Sequence, residues 1–177
     1  MGAFPEVFSH IAESRYLDSC LYHQTHVGIF GSFEVKRKIA LNQLKDFLAM
    51  HHFDAKISSD FECEESQEPT EDLDTYNGRM SDLLLRWSGI HIFIFFNERD
   101  GEHNLNSSTY REIISLGKKP VLAVFEEGSL EQQKTLFRRD LKECNWTHYT
   151  SSDFKKIHDF CLQYCINRVM EMHYQHT

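Results

Sequence analysis

The stretch Ile90–Phe96, IHIFIFF, decides the fold of this chain, because six of its seven residues are apolar. An unbroken apolar run of this kind is typical of a strand that is covered on both faces, whereas a strand with one wet face alternates apolar and polar residues. Strands buried on both faces belong to parallel sheets that carry helices on either side. We therefore predict the central strand of a parallel sheet at this position.

Four further runs, rich in β-branched and aromatic residues, predict partners for the central strand. They lie at His26–Phe30, Phe53–Ile57, Pro120–Phe125 and Trp146–Tyr149. Longer stretches with helical periodicity separate them, which is the pattern of strand–helix–strand units. The sequence thus predicts five strands that alternate with helices.

The helical stretches carry start and stop signals. Val35–His51 has an apolar stripe at helical spacing. A second helix is predicted from a cap at Thr70 or Asp72 to about Trp87, with carboxylates in its first turn. Further helices are predicted from a cap at Ser107 or Ser108 to Gly117, within residues 129–144 and 151–172, and within residues 1–25.

With right-handed crossovers, these units predict a flavodoxin-like three-layer α/β/α sandwich with a five-stranded parallel sheet of order 2-1-3-4-5. The 177 residues are enough for one domain with a full core. We assign residues 26–177 to that domain and residues 1–25 to an N-terminal helical extension. In such a sheet, ligands bind beyond the carboxyl ends of the strands, where the winding direction reverses between strands 1 and 3.

Composition excludes several classes of partner. The formal net charge is −8 and Lys and Arg form no long run, which disfavours a non-specific grip on nucleic acid. No segment approaches the roughly 20 apolar residues that span a bilayer, and the N-terminus does not resemble a secretory signal. An odd number of cysteines without close pairing fits free thiols in a reducing compartment. We expect a cytosolic protein that binds neither nucleic acid nor membranes.

His158, Cys161 and Cys165 fall at i, i+3 and i+7 on one face of the last predicted helix, a spacing compatible with a metal site. Buried helix thiols give the same spacing, and no fourth ligand stands nearby in sequence. We therefore predict no metal. Neither a Walker pattern nor a GxGxxG pattern is present, and no cofactor is predicted.

The turn after the first strand points to the predicted ligand edge. Gly31 lets the backbone approach a ligand closely, and Ser32 can add a hydroxyl contact beside the free N–H groups of the following helix. Phe33 can form an aromatic wall against a base. The alternative for these residues is an ordinary strand-to-helix turn with Phe33 in the core.

Glu112 lies one helical turn beyond Ser108, and from there its carboxylate faces back toward the ligand edge. The alternative is a solvated first-turn glutamate that complements the helix dipole. Arg111 beside it can hold a phosphate or stand exposed on the helix.

The order of GSF after strand 1, FDAKIS, IHIFIFF, SSTYREI and GKKPVLAV resembles the nucleoside 2-deoxyribosyltransferase-like superfamily over about Val27 to Phe125. It is also similar to the TIR domain, where a W-x-x-K-E-I-type stretch precedes a GK-x-[IP]-V strand. Both resemblances map the functional glutamate of those families onto Glu112. They imply a nucleophile that attacks the anomeric carbon in the first case, and a carboxylate that engages the ribose next to nicotinamide in the second.

Other candidate ligand contacts follow from the predicted edge. Asp60, after strand 2, can serve sugar hydroxyls or a leaving-base proton, and Asn97 and Asn106 can hydrogen-bond a ribose. Ser108 is a further candidate contact. Their structural alternatives are a turn former for Asp60 and loop residues for the two asparagines.

The leading hypothesis is cleavage or transfer of an N-glycosidic bond on a nucleoside, a nucleotide or NAD, since a carboxylate stabilises the oxocarbenium character that develops at the sugar. The alternative is a non-catalytic nucleotide-sensing or TIR-like signalling and interaction module. Ser107-Ser108-Thr109 stands where deoxyribosyltransferases usually have glycine, which favours that alternative. Either hypothesis implies a nucleotide or NAD-like small molecule as partner, and a homo-oligomer would suit both. A flavodoxin-like electron carrier fits less well, since no Ser/Thr-rich phosphate loop follows strand 1.

Overall fold

The computed structural model describes residues 25–63, 66–100, 102, 105–132 and 144–175. The strands are β1 Val27–Phe30, β2 Ala55–Ile57, β3 Ile90–Phe95, β4 Val121–Glu126 and β5 Trp146–Ser151. They form one sheet in the order β2-β1-β3-β4-β5, and every neighbouring pair runs parallel. The predicted flavodoxin-like α/β fold with this strand order is confirmed.

Helices follow the strands as the periodicity predicts. They are α1 Val35–Met50, α2 Leu73–Trp87, α3 Ser107–Ser115, α4 Ser129–Gln132 and α5 Phe154–Gln175, with a 3-10 helix at Ser58–Cys63 after β2.

Two helix caps test the sequence signals. Asp72 caps α2 as predicted, because its side chain accepts a hydrogen bond from the N–H of Thr75 at 2.7 Å. The predicted cap of α3 is wrong. Ser107 and Ser108 lie inside the helix, and the cap position belongs to Asn106, whose side chain makes no capping bond. That side chain is bonded to the end of β3 instead.

The sheet separates two apolar clusters, as expected for strands covered on both faces. One face packs against α1 and α5 and includes Ile92 of the central strand. The other face packs against α2 and α3 and includes Phe93, the next residue of the same strand. Since successive side chains of a strand point to opposite faces, β3 contributes to both cores. This explains why IHIFIFF is apolar without alternation.

The domain boundary at residue 26 remains a prediction. Residues 1–24 lie outside the described part of the chain, and so does the predicted helical extension except for Thr25. The helix predicted in 129–144 is described only as far as Gln132. Of the helices that the structure describes, none combines the length and the apolar character needed to cross a bilayer.

Two residues of the candidate metal triad on α5, Cys161 and Cys165, are part of the core, and His158 is half-buried. Cys161 and Cys165 are fully buried within the cluster between α5 and the sheet, and both are free thiols. Burial raises the pKa of each thiol well above its usual range, so neither is a thiolate at neutral pH. In the described ranges, no three potential metal ligands stand together.

Candidate functional site

A small cavity lies at the carboxyl edge of the sheet, where the winding direction reverses between β1 and β3. Gly31, Ser32 and Phe33 line it from the turn after β1, and Glu112 lines it from α3. Its free volume is about 10 Å³, room for about one water molecule. We call it the inner cavity. Its other lining residues include Lys38, Leu41, Ser58, Ser59, Ser81 and Leu84.

The turn after β1 is shaped by close packing on α1. A Cβ atom at Gly31 would stand 2.8 Å from Cδ2 of Leu41, so only glycine lets the backbone pass here without displacing that core side chain. Ser32 is buried, and its Oγ accepts a hydrogen bond from the N–H of Glu34 at 3.1 Å. Phe33 is half-buried at the rim. The turn therefore presents backbone, one hydroxyl and one aromatic ring to the cavity.

Glu112 is the one carboxyl among the described residues that line the inner cavity. Its Oε2 atom is withdrawn from solvent and has no hydrogen-bond partner among the described residues. Burial raises the pKa of the Glu112 carboxyl to about 8; a hydrogen bond with the Ser81 side chain offsets part of this rise, and the charge of Asp82 adds to it. An unpartnered, desolvated carboxyl is costly, which is why such groups concentrate at functional sites.

A larger cleft adjoins the inner cavity on its solvent side. It encloses about 780 Å³ between α2 and α3, and we call it the outer cleft. Phe33, Ser81 and Glu112 line both spaces, so these three side chains stand at the boundary between them. Other lining residues of the outer cleft include Asp74, Asn77, Gly78, Asp82, Ser108 and Arg111.

Arg79 and Arg111 both line the outer cleft, but they differ in their salt bridges. Arg79 binds Glu71 through its guanidinium, with an Nη2–Oε1 distance of 3.0 Å. Arg111 is exposed and forms no salt bridge within the part of the chain that the structure describes. It therefore remains available to an anionic group of a ligand.

Sequence reasoning missed two polar residues of the site. Ser81 lies on the buried face of α2 beside Met80 and Leu84, and its side chain lowers the pKa of the Glu112 carboxyl. A serine that interrupts an apolar stripe is the signal that could have identified it. Lys38 of α1 brings a cation to the inner cavity, and its Nζ lies 4.0 Å from Oε1 of Glu62.

Asp60 does not line either space. Its Oδ2 accepts a hydrogen bond from the N–H of Ile57 at 2.8 Å, and its Oδ1 binds Nζ of Lys45 at 3.0 Å. These bonds hold the 3-10 helix against the end of β2. The structure thus places Asp60 in the turn-forming role rather than beside Glu112.

The two predicted asparagines lie outside both spaces, and the side chain of Asn106 is engaged elsewhere. Asn106 is fully buried; its Oδ1 accepts from the N–H of Phe96 at 2.9 Å and its Nδ2 donates to the carbonyl of the same residue at 2.7 Å. The side-chain amide of Asn106 thereby pairs with the backbone of Phe96 in the way that a residue of a neighbouring strand would. Asn97 lies on the loop after β3, where its backbone N–H donates to Glu126 and its backbone carbonyl accepts from Arg37, while its side-chain Oδ1 is buried without a hydrogen-bond partner among the described residues. Neither residue lines the inner cavity or the outer cleft.

Fold and site together define an α/β protein whose sheet has flavodoxin-like order and whose carboxyl edge holds a withdrawn glutamate beside a glycine turn. Comparisons with protein-family models, with curated proteins and with solved structures find no match for this chain. The site itself therefore carries the functional argument.

Proposed function

We propose that this protein cleaves the N-glycosidic bond of a nucleoside, a nucleotide or NAD, with Glu112 as the carboxyl that acts at the anomeric centre. One observation carries the proposal. The unpartnered Oε2 of Glu112 lines the same cavity as the turn Gly31–Phe33, at the edge where parallel α/β sheets bind their ligands. A sugar at the boundary between the inner cavity and the outer cleft, which Phe33 and Glu112 both line, could therefore contact the turn and the carboxyl together.

The chemistry fits a lone carboxyl. Breaking a bond between a sugar carbon and a nitrogen base builds positive charge at the anomeric carbon, and an adjacent carboxylate stabilises that charge. The same need explains the carboxylates of glycoside hydrolases. Because Oε2 of Glu112 has no other hydrogen bond to break, its interaction with the developing cation costs no reorganisation of the site.

The raised pKa of Glu112 makes the ionisation of its carboxyl sensitive to a nearby positive charge. With a pKa of about 8, about one tenth of the carboxyls are ionised at neutral pH in the ligand-free protein. A positive charge nearby lowers the pKa of a carboxyl. The ionised form of Glu112 is therefore favoured in the transition state, because positive charge then develops at the anomeric carbon.

The outer cleft has the room that the ligand requires. Pockets for small molecules are commonly about 300–1,000 Å³, and this cleft encloses about 780 Å³. Phe33 offers an aromatic surface for a base, and Arg111 and Ser108 offer contacts for a phosphate. We place the sugar at the boundary, with its anomeric carbon toward Glu112.

The test is release of free base, followed by chromatography, from NAD⁺, AMP, inosine and deoxyinosine. We expect at least one of them to be cleaved, and we expect Glu112→Gln to reduce kcat by at least about a hundredfold. Glu127→Gln is the matched control, because Glu127 is exposed after β4 and lies outside both spaces. Turnover that survives in Glu112→Gln would contradict the assignment.

The size of the inner cavity favours a second function. A space of about 10 Å³ does not admit a ribose, so a nucleotide held in the outer cleft could be bound without reaction. In that case the protein is a nucleotide-sensing module. Calorimetry that detects binding of AMP or NAD⁺, weakened in Arg111→Ala, with no base released over the same period, would support this function over the first.

A further inference from the structure

We propose that the inner cavity binds the water molecule that receives the sugar, so that the reaction is a direct hydrolysis in which Glu112 activates that water. This inference rests on the proposed function and narrows it. It distinguishes hydrolysis from transfer to a second base and from attack by Glu112 itself on the sugar. Three features of the cavity carry it: its size, its polar lining and its position.

The size of the inner cavity selects the ligand. A cavity holds one water molecule when its free volume reaches about 10–15 Å³, and it also needs two to four polar partners for that water. The inner cavity, at about 10 Å³, meets the lower bound. A nucleobase or an alcohol is too large for it, so a competing acceptor is excluded by volume.

The lining supplies the polar partners. Oε2 of Glu112 is buried without a hydrogen bond to any residue that the structure describes, which is the condition that an ordered water relieves. Ser58, Ser59 and Ser81 bring hydroxyls to the same space. Ser32 adds a fourth: its Oγ already accepts from the N–H of Glu34, which leaves its O–H free to donate.

The position of the cavity sets the direction of attack. Glu112, Ser81 and Phe33 separate the inner cavity from the outer cleft. A sugar bound at this boundary, with its base toward the outer cleft, presents the opposite face of its anomeric carbon to the inner cavity. A water held there is aligned for displacement from behind the leaving base.

The step balances without a further reactant. The water oxygen bonds to the anomeric carbon while the bond from that carbon to the base nitrogen breaks and its electron pair leaves with the base. The ionised carboxylate of Glu112 takes one proton from the water. A pyridinium base such as nicotinamide leaves neutral, and a purine leaves as an anion that takes a proton from solvent. The anomeric configuration of the sugar is inverted.

The chemical test runs the reaction in aqueous methanol with whichever of NAD⁺, AMP, inosine and deoxyinosine releases base. We expect the hydrolysed sugar as the only sugar product (ADP-ribose from NAD⁺, ribose 5-phosphate from AMP, ribose or deoxyribose from the nucleosides), with the inverted anomer seen first by NMR. Formation of a methyl glycoside, or an anomer of retained configuration, overturns the water site while leaving the proposed function standing. Failure to release base from all four compounds overturns the proposed function itself.

The structural test is a high-resolution crystal structure of the full chain. We expect electron density for one water within hydrogen-bond distance of Oε2 of Glu112, and loss of that water or its displacement in Ser81→Ala. Ser81→Ala should also lower kcat about tenfold or more with little change in KM, because Ser81 then no longer orients the carboxyl and the water. Ser152→Ala is the matched control, since Ser152 is exposed beyond β5. A dry inner cavity in the wild-type crystal would overturn the inference.

Discussion

At the scale of single residues, Glu112 and Asn106 lie on the same short segment but differ in what their side chains contact. Both were candidate ligand contacts on sequence grounds, six residues apart at the start of the same helix. Glu112 keeps an unpartnered carboxyl oxygen in a cavity. Asn106 uses both ends of its amide on the backbone of Phe96 and has nothing left for a ligand there. Their roles differ because of neighbours that lie on other elements.

The environment of Glu112 predicts a pH-dependent stability. The pKa of its carboxyl is about 8 in the folded protein against 4.5 in the unfolded chain, so below about pH 4.5 the group is neutral in both states and costs nothing. As the pH rises from about 4.5 to about 8, Glu112 ionises more readily in the unfolded chain than in the folded protein. The free energy of unfolding of the wild type therefore falls over this range. Glu112→Gln should therefore gain stability over wild type as pH rises, by on the order of 4 kcal/mol at about pH 8.

Urea unfolding of the two proteins across that range measures the effect. Among the charged neighbours of Glu112, Asp82 on α2 raises its pKa, Lys38 lines the inner cavity and Arg111 on α3 lines the outer cleft. Glu127→Gln, an exposed site, should follow wild type at every pH. A constant difference between wild type and Glu112→Gln would mean that the carboxyl is not desolvated in solution.

At the scale of elements, α2 packs one face tightly on the sheet and turns the other to the outer cleft. Its C-terminal end closes on β1 so tightly that a Cβ at Gly28 would stand 2.7 Å from Oγ of Ser88, the residue that caps the helix. Gly78, in the middle of α2, faces the outer cleft, where an added Cβ would meet nothing within 4 Å. Gly28 of β1 is therefore needed for the close contact with the end of α2, whereas Gly78 is not needed for any contact within 4 Å among the described residues.

Alanine at these two positions should have opposite effects on stability. Gly78→Ala should stabilise the protein by about 1 kcal/mol, because it restores helix propensity at an exposed position and adds no contact. Gly28→Ala should destabilise it by about 1–3 kcal/mol, because the new methyl group overlaps a buried cap. Chemical denaturation measures both. Stabilisation by Gly28→Ala would show that β1 and α2 are less closely packed than described.

At the scale of the whole molecule, the sheet couples two cores. The cluster on the α1 and α5 side holds Ile92, and the cluster on the α2 and α3 side holds Phe93. Both tryptophans of the chain, Trp87 and Trp146, pack on the second cluster. Because β3 belongs to both clusters, neither face can lose its packing while the other keeps its own.

A mutation on one face should therefore be detected on the other. Ile92→Ala removes buried side-chain atoms from the face without tryptophan and should lower the free energy of unfolding by about 2–5 kcal/mol. Tryptophan fluorescence and far-UV circular dichroism should shift to the same new midpoint in urea. Separate midpoints for the two signals would show that the cores unfold independently.

The carboxyl edge is also held together across the whole molecule. The loop after β3 is tied to α1 through Arg37, which donates to the carbonyl of Asn97 at 3.2 Å and pairs with Glu102 at 3.2 Å. The same loop is tied to β4 by the bond from the N–H of Asn97 to Glu126 at 2.8 Å. These polar ties join segments far apart in the chain, and none of them was predicted from the sequence.

By itself the sequence determined the element types, the order of the sheet and the edge of the sheet at which the candidate site lies, because strand and helix periodicity and the handedness of crossovers act locally. It also brought Glu112 to the same edge as Gly31–Phe33, since both follow strands that end there. Only the tertiary structure decided that Glu112 is desolvated beside Ser81, that Asn106 is bound to the backbone of Phe96, and that Asp60 is bound to a backbone N–H and to Lys45. Burial and hydrogen bonding depend on what the other helices and loops bring alongside, and chain position does not encode that.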